Sequence, residues 1–126
     1  MRKFYLISLA LITIFSFTLF LYWPGLFGDY IFDDPANILD NQKIAITSLD
    51  LNSLKTAWYS GDAGPLGRPI SMLSFALNHY FTGFEPFYFK LTNLFIHLIN
   101  GLLVFIISLK LFQRLSYQYK YIKILK

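Results

Sequence analysis

The chain has 126 residues, 56% of them hydrophobic and 20% aromatic, with 14% charged and no cysteine. A soluble domain carries about a quarter charged residues, so this composition points to a membrane protein, and the missing cysteines exclude a disulfide framework and a thiolate metal site. The formal net charge of +4 does not mark a nucleic-acid binder, which would group its basic residues on one exposed face. Here Arg2 and Lys3 precede the first of two apolar segments, and Lys110, Arg114, Lys120, Lys123 and Lys126 lie at the far end of the second and beyond it, while all seven acidic residues fall between the two segments.

The first apolar run, Phe4 to Trp23, holds no charge and is long enough to cross a hydrocarbon core of ~30 Å. Tyr22 and Trp23 form an interfacial aromatic end, and Pro24-Gly25 stop the helix. A cleaved signal peptide is the rival reading, with Arg2-Lys3 as its basic end, but the run is long for that and no A-x-A site follows. Residues 1–23 are therefore read as a cytoplasmic start and first transmembrane helix. The basic flanks of both apolar segments put the two termini in the cytoplasm and residues 24–90 on the opposite, external side.

That loop is far longer than an ordinary connection, and such loops are usually functional. "LDLNSLKTAWYSG" predicts a short amphipathic helix begun near Asp50 or Asn52 and stopped at Gly61. "GDAGPLGRP" is a turn cluster. "PISMLSFALNHYFTG" predicts a helix with Pro69 in its first turn and Gly83 after its end, lying in the membrane interface with its apolar face down. "GFEPFYF" is an aromatic belt ahead of the second transmembrane helix, residues 91–112, which a basic cytoplasmic tail of residues 113–126 follows. In the first half of that span Asn93, His97 and Asn100 are spaced i, i+4, i+7 and share one helix face. They either hydrogen-bond to neighbouring helices, with Gly101 allowing close approach, or line a functional cavity. The fold class expected is an all-α membrane protein: two transmembrane helices joined by a long external loop with short amphipathic or interfacial helices.

The loop opens on "YIFDDPANILDN", with two adjacent carboxylates. Asp34-Pro35 is a helix-start signature, an acceptor side chain at N-cap and proline at N1. Asp33 is left over after the apolar run Tyr30-Ile31-Phe32: a solvated turn residue, or a general base whose pKa partial desolvation raises. Asp29, Asp33, Asp34 and Asp40 offer oxygen ligands to Mg²⁺, Mn²⁺ or Ca²⁺, but no EF-hand spacing supports a metal site. His79 and His97 have no second ligand near them in sequence. Arg68 is the one basic residue of the turn cluster and suits either a lipid-phosphate clamp or a headgroup anchor.

In order, "IFDDPANILDN", "WYSG", "GRPISMLSFALNHYF" and "FYFKLTNLFIHLING" resemble the amino-terminal part of GT-C glycosyltransferases. The chain looks most like the multi-pass O-mannosyltransferases with carboxy-terminal tetratricopeptide repeats and their bacterial relatives. The matching positions are Phe32-Asp33-Asp34, Arg68-Pro69, Asn78, and Phe89 with Asn93 and His97. The resemblance implies transfer of a sugar from a polyprenyl-phosphate carrier to an acceptor hydroxyl across the membrane. It implies Asp33 as catalytic base, with Asp34 a second candidate. Arg68, by its charge and not by the resemblance, is a candidate for the carrier phosphate, and Asn78, Asn93 and His97 are further candidate substrate- or carrier-binding residues. No cofactor is implied beyond a divalent cation, whose use differs within the superfamily. A GT-C core has many more spans than this chain offers, so the expectation is an incomplete GT-C-like fold. It would be the amino-terminal piece of a larger enzyme, inactive without the remaining helices and seated in a bilayer, with a bacterial inner membrane favoured. The alternative is a small two-span membrane protein without catalysis, whose loop binds a partner or a lipid surface.

Overall fold

The computed structural model describes residues 2–62 and 65–124, with side chains over 5–62 and 65–118. Ala63 and Gly64 of the turn cluster, and the side chains of Arg2, Lys3 and the basic tail beyond Gln118, lie outside the described residues. The elements in chain order are α1 (Arg2–Tyr22), a 3₁₀ turn (Trp23–Phe27), a π turn (Pro35–Leu39), α2 (Leu51–Trp58), α3 (Pro69–Thr82) and α4 (Pro86–Ile124). No strand forms among the described residues. Two helical stretches, Tyr5–Phe27 and Pro86–Gln118, are long and apolar enough to cross a membrane. The chain divides into two units, Met1–Asn93 and Leu94–Lys126; the second is the apolar continuation of α4.

Each helix follows from local chemistry. None of the apolar window in Tyr5–Phe27 is buried, and a helix that is apolar all round and unpacked belongs in lipid or among other helices. Pro24 does not end the winding outright; the chain tightens into the 3₁₀ turn with Pro24 in its first positions, where no N–H is required. α2 starts where the Asp50 carboxylate accepts from the amides of Asn52, at 2.9 Å, and Ser53, at 3.0 Å. The Ser48 hydroxyl, then the Ser53 amide and hydroxyl, hold that carboxyl well below the usual carboxylate range. α3 runs from Pro69 to a left-handed Gly83, whose amide donates to the His79 carbonyl at 2.8 Å. α4 begins at Pro86, ahead of the apolar run Leu91–Phe112, because proline is tolerated in a first helical turn.

In the first unit the loop builds its own core. Ile38 from the π turn, Ile44 and Ile46, Ala57 of α2, Met72 and Ala76 of α3, and Phe89 of α4 are buried together. Ala57 and Ala76 are small enough to let α2 and α3 pack closely. Phe89 is central: the rings of Tyr30 and Phe75 each lie 5.9 Å from it. Burial of such a side chain contributes about 1.5–3 kcal/mol. α3 therefore spends one face on this core and leaves Ile70, Leu77 and Phe81 exposed on another. The polar counterpart of the core is Asn41. Its amide donates to the carbonyl and hydroxyl of the buried Ser60 at 3.2 and 3.3 Å, and its Oδ1 accepts from the Lys43 amide at 3.2 Å.

After α2 the chain doubles back so tightly that a Cβ on Gly61 would stand 1.8 Å from the Gly67 carbonyl oxygen. Gly61→Ala must therefore open this pinch and is expected to destabilise the loop by about 2 kcal/mol. Gly25→Ala, with nothing within 4 Å of the added carbon, should leave the melting temperature in detergent unchanged. Equal melting of the two variants would remove the pinch from the account.

Tyr30 yields a pH test. Its hydroxyl donates to the Phe84 carbonyl at 3.3 Å. Burial first, and the negative charges of Asp34 and Glu85 next, push its pKa from 10.0 up to about 12. Above pH 10.0 the unfolded chain releases this proton while the folded chain keeps it. Stability that is full below 10.0 is thus lost as pH rises toward 12. Tyr30→Phe should flatten that loss in alkaline melts, and a variant that melts with the wild-type pH profile would contradict the assignment.

Candidate functional site

The acidic stretch is held from behind by Lys90. Its ammonium donates to the carbonyls of Gly28 and Asp29, the latter at 2.9 Å. Beside it the ring of Phe27 lies 5.3 Å from that of Phe87. These contacts tie the exit of the first apolar helix to the opening turns of α4.

From there Ile31–Asp34 form a tight turn closed twice. The Asp34 amide donates to the Ile31 carbonyl at 3.1 Å, and the Ile31 amide donates to Asp34 Oδ2 at 3.1 Å. Inside this turn Phe32 has φ 56°, left-handed without being glycine, a conformation that costs on the order of 1–3 kcal/mol and persists only where surrounding bonds enforce it. Asp34 does stand at the N-cap position before Pro35, but its side chain makes no forward cap. The reason is its own backbone, helical at φ −58° and ψ −44° rather than extended as a capping residue is, so the carboxylate swings back to Ile31. The segment that follows winds as a π turn, with the Asp40 amide donating to the Pro35 carbonyl at 2.9 Å.

Asp33 has a different environment. It is exposed, so the desolvation expected from its apolar neighbours is not supplied by the described residues. Its Oδ2 accepts from the Asn37 amide group at 3.2 Å, which also donates to the Asp33 carbonyl at 2.9 Å. Asn41 donates in turn to the Asn37 carbonyl at 3.4 Å. The acidic turn is thereby wired to the Asn41–Ser60 pair and the end of α2. One carboxylate is thus committed to a backbone N–H, while the other is solvent-facing and steadied by one neutral donor. The first arrangement suits a structural brace; the second can accept a proton.

Arg68 is the second non-glycine residue in the left-handed region, at φ 44°, between left-handed Gly67 and Pro69. Its side chain is exposed beside a cleft of about 290 Å³ lined by Trp58, Tyr59, Gly61, Pro65, Leu66, Gly67 and Pro69. No hydrogen bond or ion pair joins it to the acidic turn among the described residues. Asn78 accepts at Oδ1 from the Thr92 hydroxyl at 2.8 Å, which couples α3 to α4. Its Nδ2 is buried without a partner among the described residues. Asn93 is exposed beside Thr92 on α4, and His97 is exposed in the second unit. Among the described residues no three acidic or histidine side chains gather as a metal ligand set, so Asp29, Asp33, Asp34 and Asp40 are not assembled into one. Sequence reasoning passed over Asn41, Ser60 and Lys90. A lone lysine inside an aromatic run was a readable signal for Lys90; nothing in the local sequence singles out Asn41.

No family profile and no solved structure matches the chain. It is similar to the Protein O-mannosyl-transferase TMTC3 of Homo sapiens, with 30% identity over 100 residues, covering 72% of this chain and 10% of that protein. The chain thus spans about a tenth of the length of the curated relative it matches. This partial likeness points to a glycosyltransferase-like relative, and with two helices able to cross a membrane it suits a membrane-associated protein.

Proposed function

We propose that the chain is an amino-terminal portion of a polytopic glycosyltransferase of the GT-C kind, in which the segment between its two apolar helices forms a wall of the active site. The observation that carries this reading is the likeness to a protein O-mannosyl-transferase over 72% of the chain. Asp33 is the base. The acceptor hydroxyl oxygen attacks the anomeric carbon of the sugar, the bond from that carbon to the carrier phosphate breaks, and the hydroxyl proton passes to the Asp33 carboxylate. Polyprenyl phosphate leaves. The exposed face of Asp33 supports this role, because an acceptor can reach it. The covering that desolvates it comes from further helices, which also receive Asn93 and His97. Arg68 and Asn78 face the carrier side, where a guanidinium suits a phosphate.

In this reading the basic flanks keep both ends of the chain in the cytoplasm and the loop outside. Since the chain has no cysteine, Lys43→Cys should react with a membrane-impermeant maleimide in intact cells and Ser116→Cys only after permeabilisation; the reverse pattern would invert the topology.

The decisive assay joins or co-expresses the chain with the downstream spans of a relative and follows sugar transfer from a polyprenyl-phosphate donor. Asp33→Asn should lower transfer between about a hundredfold and ten-thousandfold, the usual contribution of a general base. Asp34→Asn should lower it far less. Wild-type transfer by Asp33→Asn would sink the assignment.

A further inference from the structure

We infer that the Ile31–Phe32 turn is a membrane wedge: it inserts into the external leaflet beside the first span, with Asp34 as the clamp that keeps it formed. Phe32 is 95% exposed and Ile31 59% exposed, two adjacent large apolar side chains set directly before a pair of aspartates. Water gives no reason to hold a phenylalanine in a left-handed conformation with its ring outward. Two hydrogen bonds nevertheless close the turn around it, one through the Asp34 amide and one through its carboxylate.

Lipid is the occupant that the surroundings indicate. Beyond the exposed apolar surface of α1, Trp23 and Phe27 are exposed ahead of Ile31 and Phe32, and Asp29 is the one charged residue on the way. The carbonyls of Gly28 and Asp29 are fixed to Lys90, so the start of the turn cannot drift from the level at which α4 begins. Phe32 lies three residues beyond Asp29, a reach of about 10 Å at most. That is comparable to the ~5–10 Å by which interfacial apolar groups sink into the headgroup–acyl boundary. An aromatic ring at this depth is favoured, as it is in the belts that flank membrane spans. The wedge would set the height of Asp33 over the bilayer, but it does not depend on sugar transfer and stands or falls separately.

The test uses the full chain reconstituted in phosphatidylcholine–phosphatidylglycerol vesicles. Trp23→Phe and Trp58→Phe remove both native tryptophans, and Phe32→Trp becomes the reporter. Lipid brominated near the headgroup should quench its emission far more strongly than iodide in the outer buffer, as an aromatic ring at the interface would. Strong iodide quenching with no effect of brominated lipid overturns the wedge. So does protection from both quenchers, which would mean that protein covers the turn. A reporter at Leu51→Trp, on the exposed first turn of α2, should respond to iodide and not to lipid; lipid quenching there as strong as at position 32 would also overturn a local wedge. Adding Asp34→Ala to the position-32 reporter should exchange lipid quenching for iodide quenching, and unchanged quenching would overturn the clamp.

Discussion

A backbone that turns repeatedly between two apolar helices must satisfy its own polar groups, and the Asn41 side chain meets that requirement for Asn37, Lys43 and Ser60 at once. One amide group reaches the Asn37 carbonyl on one side and the Ser60 carbonyl and hydroxyl on the other, while its oxygen takes the Lys43 amide. Ser60 is only 2% exposed, so without Asn41 its polar atoms would be stranded at a cost of about 1–3 kcal/mol. The apolar core around Phe89 supplies adhesion, but adhesion has no direction. Asn41 supplies register: it decides how the acidic turn, the end of α2 and the glycine pinch stand relative to one another.

Register matters because the two aspartates are distinguished by their backbones and not by their chemistry. Asp34, in a helical conformation, turns its carboxylate back to a peptide N–H. Asp33, one residue earlier, faces solvent with a single amide donor. The two non-glycine residues in left-handed conformations among the described residues, Phe32 and Arg68, lie in the stretches that carry the resemblance to GT-C enzymes. Strain of this kind is retained where something else requires the geometry. In Phe32 it is held by the Asp34 braces; in Arg68 it sits between a left-handed glycine and a proline whose ring restricts the residue before it.

The helices were legible wherever a single residue type carries the signal. Asp50 starts α2 and Pro69 and Gly83 bound α3 because a capping carboxylate, a missing N–H and a freely left-handed residue act within one turn of chain. The start of α4 was not legible, since "GFEPFYF" reads equally as an aromatic belt or as a first helical turn. The π turn was hidden too. Around Pro35–Leu39 the side chains of Asn37 and Asn41 each donate to a backbone carbonyl four residues back, bonds that no local pattern announces. At the site, Asp33, Asp34 and Arg68 could be singled out by residue type and spacing. What separates the roles of Asp33 and Asp34 is the helical backbone of Asp34 in a turn closed by its two bonds to Ile31, which no local pattern states. The loop's self-made core was likewise invisible, because Ile44, Met72 and Phe89 are brought together by turns whose direction no local pattern states.

Phe89 lies near the end of the segment whose core it completes, and Lys90 follows it. Every partner of that core, from Tyr30 to Phe84, leaves the ribosome before either residue does. The Tyr30–Phe89 contact and the Lys90 bonds to Gly28 and Asp29 bridge nearly the whole loop. Contacts of such separation form late, since loop closure must precede them. Synthesis therefore imposes an order: α2 and α3 can pair as they emerge, but the module is sealed only when the opening turns of the second apolar helix arrive. Until then Ile38, Ile44 and Met72 have no lid, and the unfinished loop exposes the kind of surface that chaperones hold.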